Sequence, residues 1–354
     1  MRTLLLCALA VLLTSSTQAS EDPLATIDGL PAARVTASGG ELVIELPPVD
    51  VPAGNDRGEG MVLTHLYHVP IPVSGTLYRF HVEVVDGAGR RLPQKVLHHV
   101  NLTDPNRREL FLPTSLHIIA ASKETPNLAI PRFLFGLPIH KGDRYIASGM
   151  LANDGEEPIH DARIRLVFHY LPAWVPGPLF DAYPWVMDVM FPLGRPGDGR
   201  KAFDVPPGRS TRSWESRPAI SGTLLGLGGH LHDYGVSLTL EDVTAGKVLW
   251  QGEPVKDSSG TVHQMPVHRF YGWNHLGVHI EPTHVYRATV AYDNPTGRVL
   301  RNGGMGAIAG LFVPDRGTQW PRVDPTDSIY LRDLEISIGV SGTGNGPPRV
   351  MYGR

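Results

Sequence analysis

Short runs in which apolar and polar residues alternate recur along the whole chain. "GELVIELPPV" from Gly40, "TLYRFHVEVVD" from Thr76, "RYIASGMLAN" from Arg144, "ARIRLVFHY" from Ala162, "GVSLTLEDV" from Gly235, "HVYRATVAYDN" from His284 and "GAIAGLFVP" from Gly306 are of this kind. Side chains two apart on a strand share a face, so each run predicts a strand with one buried side. Turn residues separate the runs, as in Asn153-Asp154-Gly155, Pro196-Gly197-Asp198-Gly199 and Asp293-Asn294-Pro295. No amphipathic pattern extends beyond about three helical turns. The cadence predicts an all-β chain built as β-sandwiches.

Two stretches break it. Residues 173–202 are rich in proline, glycine and large apolar side chains and read as a crossover between an N-terminal sandwich at 40–172 and a C-terminal one at 203–340. Residues 341–354, "SGTGNGPPRVMYGR", read as a flexible tail. At the other end, residues 1–19 join a basic Arg2, an apolar run from Leu4 to Leu13 and a small-residue exit at Ala19. That is the pattern of a secretory signal peptide, with an apolar run too short to span a bilayer, and it places the protein outside the cytoplasm, secreted or periplasmic. No later apolar run is long enough to cross a membrane, so no membrane partner is expected.

Composition narrows the chemistry. The one cysteine, Cys7, lies in the signal segment, so the remaining chain has no disulfide, no thiolate nucleophile and no cysteine metal ligand. A net charge of −3 leaves no basic footprint for nucleic acid. G-x-S-x-G, P-loop and H-E-x-x-H patterns are absent.

Histidine is the residue left to carry a site. "GGHLHDYG" sets His230 and His232 one residue apart, on one face of an extended strand and able to grip one ion. With 16 histidines in 354 residues such a pattern also arises by chance, so it needs company. An internal repeat supplies it. Tyr145-x-Ala147-x5-Asn153 recurs as Tyr286-x-Ala288-x5-Asn294. A histidine pair precedes each copy, His98-His99 in the first half and His230 with His232 in the second; a possible distant ligand follows each, His169 and then Met305. Two related sandwiches, each with a metal site, account for this. Three imidazoles suit copper or zinc, whereas a thioether beside two imidazoles favours Cu(I). Adjacent strand residues face opposite ways, so His98 and His99 can share an ion only at a bulge or a strand end; otherwise one faces the core and the other solvent. Met305 is a core methionine or a ligand, and Gly303, Gly304 and Gly306 around it leave space about the sulfur.

"KVLHHVNL", "RLVFHY", "GGHLHDYG" and a methionine opening a strand that ends in Phe312-Val313-Pro314, in that order, resemble the copper type II ascorbate-dependent monooxygenases, the family of peptidylglycine alpha-hydroxylating monooxygenase and dopamine beta-monooxygenase. The resemblance covers roughly Met61 to Pro314 and implies two antiparallel jelly-roll-like β-sandwich domains in tandem. It implies two copper ions per chain, with ascorbate or a similar electron donor. His98, His99 and His169 would hold an electron-storing copper. His230, His232 and Met305 would hold the copper at which oxygen binds and a C–H bond is hydroxylated. The chain departs from animal members, which have disulfides. Peptide-hydroxylating members carry an arginine two residues before the H-x-H pair, where this chain has Gly228, and an asparagine and a tyrosine after the methionine, where it has Ala307 and Ala309. Without the guanidinium fork the expected small-molecule or peptide substrate is one that lacks a carboxylate to be clamped. Two other readings stay open: a copper-handling protein without turnover, and a β-sandwich recognition module with vestigial ligands. His263, His268, His275, His279 and His284 are expected to be hydrogen-bonded loop histidines, and Asp233 to point away from the site.

Overall fold

The structure is a computed structural model that describes residues 29–54, 60–123, 125–190, 202–333 and 349–352. The expected signal segment, residues 191–201 of the expected crossover and most of the expected tail lie outside these. Among the described residues no helix is long and apolar enough to cross a membrane.

The chain is all-β. In the first half, β1 (Glu41–Glu45), β2 (Gly60–Leu63), β3 (Gly75–Val85), β4 (Leu97–Arg108), β5 (Ser115–Ser122), β6 (Phe135–Ile139), β7 (Arg144–Asn153) and β8 (Ile159–Pro172) form two sheets. One is ordered β1-β8-β3-β6 and the other β2-β7-β4-β5, all antiparallel. The second half repeats the plan with β9 (Tyr183–Asp188), β10 (Gly208–Ser216), β11 (Gly222–Leu231), β12 (Gly235–Asp242), β13 (Lys247–Gly252), β14 (His268–Arg269), β15 (Tyr286–Asn294) and β16 (Gly306–Pro314). Its sheets run β9-β16-β11-β14 and β10-β15-β12-β13. Strand n of the first half thus corresponds to strand n+8 of the second, and each set is a jelly roll.

Alternation fills the two cores. Leu42 and Ile44 of β1 and Leu166 and Phe168 of β8 meet Val100, Leu102, Tyr145 and Ala147 of the facing sheet. Leu227, Leu231 and Ile308 meet Leu238, Leu240, Ala288 and Val290 in the second sandwich. With no cysteine among the described residues, such burial carries stability, at about 1.5–3 kcal/mol for each fully buried large apolar side chain.

The repeat read from the sequence is structural. Asn153 ends β7 and Asn294 ends β15, both buried. Asn153 donates to the Pro52 and Glu157 carbonyls and accepts from Gly155 N–H. Asn294 donates to the Val205, Pro206 and Arg298 carbonyls and accepts from Thr296 N–H. Each fixes the turn that follows its strand and the segment beside it.

The segment expected as a crossover contributes strands to both sandwiches. Phe180–Asp181 runs parallel to β6, and Tyr183–Asp188 is β9, so the second jelly roll starts at Tyr183. A strand at Arg34–Ser38 borders β1, and Arg349–Tyr352, inside the expected flexible tail, pairs with β2. After β16 the chain runs back across both sandwiches to the first. Trp320 stacks on Tyr183 at 4.4 Å and donates to the Arg108 carbonyl, and Tyr330 of the short helix Ser328–Asp333 packs with Ile146.

The sandwiches share a core. Leu110 and Phe111, between β4 and β5, lie in the second cluster, with Phe111 edge-on to Trp185 at 5.3 Å and to Tyr286 at 5.9 Å. The buried Glu109 carboxylate accepts His117 N–H at 2.8 Å and Val186 N–H of β9 at 3.1 Å.

Asn294→Ala and Asn153→Ala each remove a buried amide that holds two or three backbone carbonyls, the buried Val205 carbonyl among those of Asn294. Each is expected to lower the unfolding free energy by about 1–3 kcal/mol, read by urea denaturation, while a surface control such as Glu253→Ala stays within about 0.5 kcal/mol.

Candidate metal centre

Both histidine pairs sit at the same end of their jelly rolls. His98 and His99 open β4, just after the β3–β4 connection, and His230 and His232 close β11, just before β12. In the β4–β7 ladder Leu97 faces Leu151 and His99 faces Met150, leaving His98 as the extra residue of a bulge. A bulge re-aims side chains that regular alternation would send to opposite faces. The His98 and His99 Nδ1 atoms stand 3.1 Å apart and their rings 5.3 Å, at 74°. With metal–imidazole bonds of about 2.0–2.1 Å, that nitrogen spacing corresponds to an N–metal–N angle of about 100°, so the pair fits a chelated ion.

The second pair uses plain period-two geometry. His230 is paired with Ala307 of β16, Leu231 points into the core, and His232 lies just beyond the strand. Their rings are 5.3 Å apart at 84°. His232 N–H donates to the Tyr292 hydroxyl at 3.0 Å, and Met305 N–H donates to the same oxygen at 3.0 Å. His232 and Met305, distant in sequence, are thereby brought together. The short strand Leu300–Gly304 that leads to Met305 is pinned by Asp204, which accepts from Asn302 N–H at 2.9 Å and from Arg301 at 2.6 Å. Gly304 and Gly306 serve close packing rather than space about the sulfur: a Cβ on Gly304 would lie 2.5 Å from the Phe203 ring, and one on Gly306 2.7 Å from Val290.

Burial pushes the His232 imidazole down to about 4, and the neighbouring His230 pushes the same way. The hydrogen bond to the Gly303 carbonyl and the Asp233 charge oppose this, while His98 of the other sandwich adds to it. The ring is therefore neutral at pH 7 and donates one N–H to a backbone carbonyl, the arrangement that leaves the other nitrogen for a metal.

His169 stands elsewhere. Ala162, Ile164, Leu166, Phe168 and Tyr170 are the core residues of β8, so alternation turns His169 to the outer face. There its Nδ1 lies 3.6 Å from the Glu41 carboxylate, between the rings of Tyr78 at 6.3 Å and His81 at 6.2 Å. Gly149, next to the His99 partner Met150, packs on Ile164, five residues before His169. Strand rise and sheet spacing together put His169 on the order of 20 Å from the His98–His99 pair. Among the described residues no three histidine, cysteine, aspartate or glutamate side chains form a metal-binding group. His98 and His99 are brought together, and so are His230, His232 and the Met305 backbone; His169 joins neither set.

Beside His230 the outer face of β11 and β16 is bare. Gly228 pairs with Ala309 and His230 with Ala307, and the exposed Val267 borders Gly228. Asp188 of β9, paired with Ala307, continues the row as a buried carboxylate that accepts Met190 N–H at 2.9 Å. Asp233 accepts Val262 N–H at 2.9 Å, away from the site. His263, His279 and His284 are paired with Asp257, Asp315 and Asp242, His275 with Asn274, and His268 packs on Phe270.

Tyr292 escapes a search for ligands because its side chain is no donor to a metal here. Its signal lies in the repeat: the position two before the terminal asparagine is Leu151 in the first half and Tyr292 in the second.

No family model matches the chain, and no curated protein matches it. Among solved structures, the major capsid protein P2 from bacteriophage PM2 is similar over 79% of this chain and 100% of its own, at 10% identity and a TM-score of 0.35. PNGase F, a glycosylasparaginase from Flavobacterium meningosepticum, is similar over 77% of this chain and 96% of its own, at 10% identity and a TM-score of 0.36. Likenesses this distant leave the chemistry to the chain's own residues.

A histidine whose folded pKa is depressed resists protonation that the unfolded chain accepts. The metal-free protein should hold its His232 contribution above pH 6.5 and lose it progressively as pH falls toward 4, by on the order of 3 kcal/mol. Urea denaturation at pH 7.0 and 4.5 should show a distinctly smaller acid loss in His232→Asn than in wild type; equal losses would mean that His232 titrates normally.

Proposed function

We propose that the protein is a copper-dependent monooxygenase, secreted or periplasmic, that uses O2 and a one-electron donor such as ascorbate to hydroxylate a C–H bond of a substrate without a carboxylate. The observation that carries this reading is that a His98–His99 pair with its Nδ1 atoms 3.1 Å apart, and a His230–His232 pair tied to the Met305 backbone through Tyr292, stand at the same end of the two jelly rolls. His98 and His99 would hold one copper through Nδ1; His230, His232 and Met305 would hold the other. Copper supplies one-electron redox chemistry and, beside a thioether, a preference for the Cu(I) state. Overall, R–H and O2 take two electrons and two protons to give R–OH and water, with two electrons from the reductant.

The chain's residues set where that happens. Neutral His232 keeps a lone pair for the ion at pH 7, with its ring oriented by Gly303. The substrate would lie on Gly228, Ala307 and Ala309 next to His230, against Val267. No guanidinium stands at those three positions, so a neutral, weakly polar molecule fits the shelf better than a peptide C-terminus.

The position of His169 favours a second reading, a copper-handling protein without turnover, because the first pair lacks the third imidazole. Copper stoichiometry and ascorbate-driven oxygen uptake separate the two. The monooxygenase reading expects two Cu(I) per chain, one in His98→Ala, one in Met305→Ala and two in His169→Ala, with uptake lost in the first two variants. Full copper loading without reductant-driven uptake across a panel of neutral substrates would leave copper handling. Loss of a copper in His169→Ala would return that residue to the first site.

A further inference from the structure

We infer that Tyr292 is a positioning residue of the second metal site, fixing the distance between the His232 and Met305 ligands through one phenol oxygen. The inference rests on the copper reading above. The Tyr292 hydroxyl accepts His232 N–H and Met305 N–H, both at 3.0 Å, and donates to the Met305 carbonyl at 2.6 Å. A hydroxyl has one proton to give and two lone pairs to receive, so all its capacity goes to these two residues. The ring is buried in the second core, 1% exposed, with Phe203 edge-on at 5.7 Å. The oxygen is therefore a fixed point.

The two ligands need one. His232 follows the last residue of β11, and Met305 lies between the strand Leu300–Gly304 and β16, so both sit where ladder pairing is interrupted. In the first sandwich the same position on β7 is Leu151, fully buried, beside the His98–His99 bulge. That site draws both donors from adjacent residues and has nothing to clasp. The fold accepts an aliphatic side chain at this point; the hydroxyl appears only in the copy whose ligands come from two separate segments. Tyr292 thus acts through the backbone of both ligands, as outer partners of metal ligands do.

The test uses the full chain loaded with Cu(I). X-ray absorption reads copper–sulfur scattering from Met305, and chelator competition reads affinity at each site. Wild type is expected to show the sulfur contribution. Tyr292→Phe, which keeps the ring, should lose it and bind the second copper about 10–100-fold more weakly, while the His98–His99 site is unchanged and reports that the fold is intact. Sulfur scattering and affinity both retained in Tyr292→Phe would overturn the clasp and leave the copper reading standing. No sulfur scattering in wild type would overturn the copper reading and the clasp with it. Should Tyr292→Phe not fold, amide exchange in wild type decides. Protection of His232 and Met305 amides like that of neighbouring core strands supports the clasp; exchange at the rate of an open turn rejects it.

Discussion

The molecule depends on the insertion of Leu110 and Phe111 into a core that is not their own. Phe111 is 2% exposed and wedged between Trp185 and Tyr286 of the second sandwich. Glu109, next to it, is fully buried and spends its carboxylate on His117 of its own sandwich and Val186 of the other. Two covalently linked domains ordinarily move relative to each other unless their interface is large and apolar. Here a shared core removes that freedom, and the return of Trp320 and Tyr330 to the first sandwich adds a second tie. The histidine pairs lie far along the strands from this plug, at the other end of the seam.

Much of this is legible in the sequence because alternation and turn chemistry are local. Each quoted run became a strand, and the Tyr-x-Ala-x5-Asn repeat marks the same strand in both halves because its asparagine does the same work twice, bonding carbonyls on either side of the turn. The adjacent histidines posed a question that spacing could only frame. Alternation sends adjacent side chains of a regular strand to opposite faces, and the bulge at His98, invisible in composition, brings the two rings together.

What the sequence concealed was long-range register. The intervals from each histidine pair to His169 and to Met305 are similar, yet the pairs stand on different strands, one opening β4 and the other closing β11. Equal counting therefore ends at opposite ends of corresponding strands: His169 near the finish of β8 and Met305 just before the start of β16. The first-sandwich counterpart of the Met305 position is the start of β8, where His160 is hydrogen-bonded to Asp50. Proline and glycine between 173 and 202 had the same masking effect. They read as a linker, but the apolar alternation of Trp185 and Met187 inside that stretch is the buried face of β9.

The two copies have thus been put to use in unlike ways. The first makes a pair from a local distortion, one extra residue in a ladder, and needs only the backbone of β4 and β7 to hold it. The second takes its donors from two segments and must fix them from a third, β15, which also builds the core. That difference has a mechanical consequence. Disturbing the bulge alters two imidazoles together and leaves the second site alone, whereas any shift of β15 against β16 moves His232 and Met305 relative to each other. A pair held at one bulge keeps its spacing whatever the rest of the sandwich does. A pair of segments whose His232 and Met305 backbones meet at the Tyr292 hydroxyl is sensitive to packing around Phe203, Val290 and Tyr292, and through the shared core that packing is continuous with the contact that Phe111 makes.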